Sequence, residues 1–243
     1  MTDTTFLARP DGLKLAYRRT AGTGPTLVFL PGYMSDMGGS KAVALFDRAM
    51  AEGQSALLID YSGCGSSEGD FKDGTLTQWR DDVLLLIDAL TQGPLVLAGS
   101  SMGGWLMLLV ARAVPDRIAA MVGIAAAPDF TQWGFTDTQK SVLQREGVVF
   151  EDNPYGPAPT PTYRGFWESG EASLQLHAPI PIDCPVRLLH GQADTDVPWE
   201  IALRLASALR SSDVQTLLIK DGDHRLSRNS DIALLMRTID SLL

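Results

Sequence analysis

The stretch PLVLAGSSMGGWLMLLVARAV, residues 94–114, places a short β-favouring apolar run, a glycine-serine turn and a helix-length apolar run in immediate succession. Its centre reads Gly99-x-Ser101-x-Gly103. A strand that turns abruptly into a helix strains the backbone at the turn residue, and small neighbours two positions away let adjacent elements close on it. The hydroxyl of Ser101 is thereby expected at the carboxyl edge of a sheet and at a helix N-terminus, where free N–H groups favour developing negative charge.

Outward from this centre, buried strands and helices alternate. Residues 5–19 read as two short strands around Pro10-Asp11-Gly12. Largely apolar runs at 26–30, 55–60, 95–98 and 118–127 read as buried strands, and 186–190 and 214–219 read as further strands. Helices are expected near 40–51, 75–91, 199–210 and 230–243. This order predicts an α/β protein with a mostly parallel central sheet and helices on both faces. The rhythm breaks between 129 and 183, a stretch rich in aromatics and prolines, including Pro154, Tyr155, Trp133, Phe135 and Trp167. It predicts an inserted cap with one or two helices, the core being 1–128 and 184–243. The glycine-rich run Asp60–Gly69 lacks the lysine and Ser/Thr of a phosphate loop and reads as a structural turn.

A formal charge of −9 without a basic run argues against a nucleic-acid partner. No apolar run reaches membrane-spanning length. The two cysteines, Cys64 and Cys184, have no metal-ligand spacing. The N-terminal residues show no signal peptide, and the expected location is cytoplasmic.

A serine nucleophile needs a base, and the base needs an orienting acid. The chain has only three histidines: His177 in the insertion, His190 at a strand end, and His224 beyond the last strand. In the G-x-S-x-G arrangement the order is serine, acid, histidine. With the acid after the strand 186–190, only His224 lies downstream. His190 reads as a packed strand-end residue. Asp194 is the favoured acid, because Asp196 reads as the turn residue before Pro198. Asp129, after the preceding strand, and Asp223, adjacent to His224, remain rivals. An oxyanion hole is expected from the backbone N–H groups of Met102 and Tyr33. Trp105, Trp133, Phe135 and Trp167 are candidate contacts for an acyl group. This chemistry calls for no cofactor and no metal.

Together Pro31-Gly32-Tyr33, Asp60–Ser66 (DYSGCGS), Gly99–Gly103, His190-Gly-x-x-Asp194 and Asp223-His224 resemble the α/β-hydrolase superfamily over essentially the whole chain. Ser100–Met107, Cys184–Gly191, Val197-Pro-Trp199 and Asp223-His-Arg225 are similar to one group within it, the mycophenolic acid acyl-glucuronide esterases, also described as palmitoyl-protein thioesterases. The resemblance implies an esterase or thioesterase acting on acyl esters or S-acylated substrates, with Ser101 as nucleophile, Asp194 as acid and His224 as base. Without a transit peptide in view, it implies a bacterial cytoplasmic relative of that group. The alternatives are a short-chain carboxylesterase, a peptidase, a cofactor-free haloperoxidase or a non-catalytic binding protein on the same scaffold.

Overall fold

The computed structural model describes residues 3–153 and 156–243; Pro154 and Tyr155 lie outside the described residues. The core begins with β1 (Thr5–Ala8), β2 (Lys14–Thr20), β3 (Thr23–Leu30), α1 (Ser40–Glu52), β4 (Gln54–Ile59) and α2 (Leu76–Leu90). It continues through β5 (Leu95–Ser100), α3 (Met102–Ala113) and β6 (Ile118–Ile124). The insertion holds α4 (Phe130–Trp133), α5 (Asp137–Glu146), β7 (Val148–Glu151), β8 (Thr160–Tyr163) and α6 (Arg164–Glu171). The core resumes with β9 (Val186–Gly191), α7 (Glu200–Ala208), β10 (Val214–Ile219) and α8 (Asn229–Asp240).

Among the described residues, eight strands form one sheet in the order β1-β2-β4-β3-β5-β6-β9-β10. β1 and β2 pair antiparallel at one edge, and every pairing from β4 onward across to β10 is parallel. Alternate residues explain why the strands are apolar throughout. Leu95 and Leu97 of β5 enter one core layer with α2, α3 and α7, whereas Val96 and Ala98 enter the opposite layer with α1 and α8. β3 divides in the same way, Val28 and Leu30 against Leu27 and Phe29. Side chains on successive strand residues point to opposite faces, so a strand covered on both sides cannot show polar alternation. α3 is buried at every position from Met102 to Ala111, because the sheet lies on one side of it and α2 and the insertion on the other.

Two expectations need correction. β6 stops at Ile124 rather than running to 127, because Ala125 takes a positive φ of 45° and turns the chain out of the sheet. The described residues of the insertion form three helices and a two-stranded antiparallel sheet, β7 with β8, rather than helices alone. Its entry and exit are tied together by Asp129, whose carboxylate accepts the N–H groups of Gln175 and Leu176, each at 2.7 Å. Cys64 and Cys184 are both free thiols.

Candidate active site

Ser101 sits between β5 and α3 with φ 53° and ψ −119°, a left-handed conformation that a residue with a Cβ adopts only when its surroundings enforce it. The enforcement is visible. Ser101 N–H donates to Ile124 O at 2.9 Å, and Ser101 O accepts from Gly104 N–H at 2.9 Å and Ala127 N–H at 3.1 Å. The flanking glycines are required by contact. A Cβ on Gly99 would lie 2.3 Å from Gly103 O, and one on Gly103 would lie 2.0 Å from Leu30 O.

The parallel order of β5, β6, β9 and β10 brings the loops after β9 and β10 to the same sheet edge. They are joined directly, Ala193 N–H donating to Gly222 O at 2.9 Å. His224 Nε2 lies 3.1 Å from Ser101 Oγ, and its Nδ1 lies 2.9 Å from Asp194 Oδ2. The Asp194 side chain is fully buried. Its other oxygen, Oδ1, accepts the N–H groups of Asp196 at 2.9 Å and Val197 at 2.8 Å. Burial by itself would raise the Asp194 pKa. Hydrogen bonds from His190 and His224 outweigh it and hold the carboxyl well below the usual carboxylate range.

The rival acids are otherwise engaged. Asp129 ties the ends of the insertion together, as described above. Asp223 Oδ1 accepts Leu226 N–H at 3.0 Å, closing the turn that presents His224. Asp196 is exposed, and its N–H is itself a donor to Asp194. His177 is exposed on the insertion and is not among the residues lining the pocket at Ser101.

His190 is packed at the end of β9, as expected, and makes polar contacts there as well. It is wholly buried, and its Nε2 lies 3.1 Å from Asp194 Oδ2 and 3.0 Å from Val197 O. The apolar run Val-Arg-Leu-Leu-His concealed this contact; the four-residue interval to Asp194 was the available signal.

Ser101 opens into a pocket of about 700 Å³ between the core and the insertion. Its wall includes Tyr33, Met34, Phe130, Trp133 and Phe135, together with Thr160 and Thr162 of β8. Of the four aromatic candidates, Trp133 and Phe135 line this space, whereas Trp105 and Trp167 do not. Trp105 is packed beneath the floor and donates Nε1–H to Ser173 O at 3.2 Å, and Trp167 lies with Leu143 and Val149 inside the insertion. Lys41, absent from the sequence reading, lines the wall beside His224 and donates to Arg225 O. Burial, with Arg225 nearby, lowers its pKa to about 8.

The loop expected to supply an oxyanion donor lies against the serine: a Cβ on Gly32 would be 3.3 Å from both Ser100 O and Ser101 Cβ. Tyr33 follows directly, its hydroxyl donating to Pro161 O of β8 at 2.9 Å. Met102 opens α3, so its N–H lies in the first turn, where no intrahelical acceptor exists. Among the described residues, no cluster of three or more His, Cys, Asp or Glu side chains is arranged to hold a metal ion, and no helix is long and apolar enough to cross a membrane.

The arrangement coincides with likeness to known proteins. A family described as "alpha/beta hydrolase fold" matches residues 25–143. The human palmitoyl-protein thioesterase ABHD10, mitochondrial, is 41% identical over 246 residues that cover 100% of this chain and 80% of that protein. The structure of alpha/beta hydrolase domain-containing protein 10 from mouse superposes with a TM-score of 0.92 at 40% identity, covering 99% of this chain and 98% of that one. A putative hydrolase from Agrobacterium vitis S4 gives a TM-score of 0.92 at 36% identity, covering 100% and 98%. The mammalian relatives are named mitochondrial, which overturns the cytoplasmic location expected from the N-terminal residues.

Proposed function

The chain belongs to the α/β-hydrolase family as an ester or thioester hydrolase, and we propose that it removes long-chain S-acyl groups from protein cysteines with Ser101, His224 and Asp194. The observation that carries this reading is the unbroken hydrogen-bonded chain Ser101 Oγ–His224–Asp194, at 3.1 and 2.9 Å, on the wall of one pocket.

In this reading His224 Nε2 takes the Ser101 proton as Oγ attacks the acyl carbon. Asp194 fixes the Nδ1–H tautomer and stabilises the imidazolium that forms. The N–H groups of Tyr33 and Met102 hold the oxyanion; losing one such donor costs roughly 3–4 kcal/mol of transition-state stabilisation. Collapse of the tetrahedral intermediate expels the cysteine thiol, which takes a proton from His224, and leaves Ser101 acylated. His224 then takes a proton from water, whose oxygen attacks the acyl carbon. The fatty acid leaves and the proton returns to Ser101.

The insertion, residues 129–183, serves as a cap over the acyl chain. Trp133, Phe135 and Phe130 offer apolar surface beside the serine. The named activity of the ABHD10 relatives supports a palmitoyl-protein substrate. The test is hydrolysis of an S-palmitoyl peptide beside its O-palmitoyl counterpart and the two acetyl analogues, with Ser101→Ala as baseline. Preference for the long-chain thioester is the expected result. Preference for acetyl oxyesters would make the protein a short-chain carboxylesterase instead.

A further inference from the structure

We propose that His190 is a positioning residue for the acid: its Nε2–H, shared between Asp194 Oδ2 and Val197 O, fixes the carboxylate oxygen that receives His224. The proposal rests on the triad reading above and assigns a function to a histidine which that mechanism leaves idle.

Both atoms within reach of His190 Nε2 are acceptors, the Asp194 carboxylate oxygen at 3.1 Å and the Val197 carbonyl at 3.0 Å. The proton therefore resides on Nε2. Asp194 Oδ1 thus accepts two backbone N–H groups, while Oδ2 takes the His224 imidazole and lies 3.1 Å from His190 Nε2. The backbone pair fixes one oxygen but leaves rotation of the other about that axis to be settled. His190 settles it. The residue stands on β9, whose partner β10 faces it at Leu218, so its donor is referenced to the sheet rather than to the loop.

Val197 closes the circuit: its N–H binds Asp194 Oδ1 while its carbonyl accepts from His190. One side chain thereby spans both ends of the loop that carries the acid.

A second observation separates this role from simple packing. His190 Nδ1 is buried, and among the described residues it has no hydrogen-bond partner. An orphaned buried acceptor is unfavourable, so the ring's hold on its place comes from the contacts of Nε2. Since His190 has no exposed surface and is not among the pocket-lining residues, it acts through Asp194 and not on substrate.

The experiment compares His190→Leu, His190→Gln and His190→Asn on a p-nitrophenyl ester, with Ser101→Ala and wild type alongside and thermal melting for each. Glutamine places an amide N–H where Nε2 stands; asparagine is shorter and places it where Nδ1 stands. Misplacing the acid is expected to lower kcat by about 10- to 100-fold in His190→Leu and His190→Asn. KM should stay within about twofold, as for loss of an interaction made only in the transition state. His190→Gln should recover to within about threefold of wild type. If His190→Leu fails to fold, the glutamine–asparagine contrast decides. Equal rates for Gln and Asn, or losses that follow melting temperature alone, would overturn the proposal while an inactive Ser101→Ala left the triad intact. An active Ser101→Ala would instead overturn the reading beneath it.

Discussion

The Asp60 carboxylate accepts the Met37 N–H at 2.7 Å and so ties the end of β4 to the loop that carries Tyr33. Its second oxygen takes Ser66 N–H at 2.8 Å, which makes Asp60 the joint between that loop and the glycine-rich turn behind it. Asparagine has one acceptor oxygen, and its amide would oppose one of the two N–H groups. Asp60→Asn is expected to cost about 1–3 kcal/mol, the range for leaving a buried polar group unsatisfied. Urea unfolding measures this, and kcat should fall with it as the loop carrying Tyr33 loosens.

Tyr33 links the same loop to the insertion, since its hydroxyl donates to Pro161 O. Burial pushes the Tyr33 pKa up, so the hydroxyl remains a donor across the working pH range. Tyr33→Phe keeps the aromatic contacts with Phe71, Phe130 and Phe166 but removes that donor. A loss of about 1 kcal/mol in unfolding free energy is expected. A raised KM for long acyl chains should accompany it, because β8 forms part of the pocket wall.

Asp194 and Asp129 should separate cleanly. Asp194→Asn is expected to lower kcat by about 10,000-fold, as for other triad acids made neutral. Asp129→Asn touches no reacting group and should act through the insertion, raising KM more than it lowers kcat. Comparable kcat losses in the two variants would contradict the assignment of the acid.

The depressed pKa of Asp194 also sets a pH dependence. Its proton is bound more weakly in the folded than in the unfolded chain, so it contributes stability above the unfolded value of about 4. That contribution declines as pH falls from about 4 through the lower folded value. The stability difference between wild type and Asp194→Asn should therefore be largest near neutral pH and shrink below pH about 4. Denaturant unfolding at matched pH values checks the sign.

A methyl group at Gly103 has no room beside Leu30 O at 2.0 Å and Pro31 O at 2.6 Å. Gly103→Ala should cost at least about 3 kcal/mol, the upper end of ordinary overpacking, because the obstruction is backbone. Soluble yield and melting temperature report it.

What was legible in the sequence follows from what side chains record. Leu27–Leu30 of β3 and Leu95–Ala98 of β5 are apolar at every position because both faces are covered, and this revealed a parallel sheet. Three histidines and one chain order sufficed to choose His224. Backbone donors leave no such trace, so Tyr33 and Met102 followed from position alone. β7 and β8, four residues each, are too short to show a period, and β8 contains Pro161. His190 was hidden because a buried histidine at the end of Val-Arg-Leu-Leu-His looks the same whether it packs or donates. Trp105 and Trp167 show the converse: aromatic type marks burial without saying which side of a wall the ring occupies.

The most direct test of the account is identification of the acylated residue. The protein is mixed with an S-palmitoyl peptide, quenched in acid during turnover, digested and read by mass spectrometry. The account predicts a palmitoyl adduct on Ser101, absent from Ser101→Ala, which should also lack turnover. An adduct on another residue such as Ser100 or Cys64, or a Ser101→Ala protein that still hydrolyses the substrate, would contradict it.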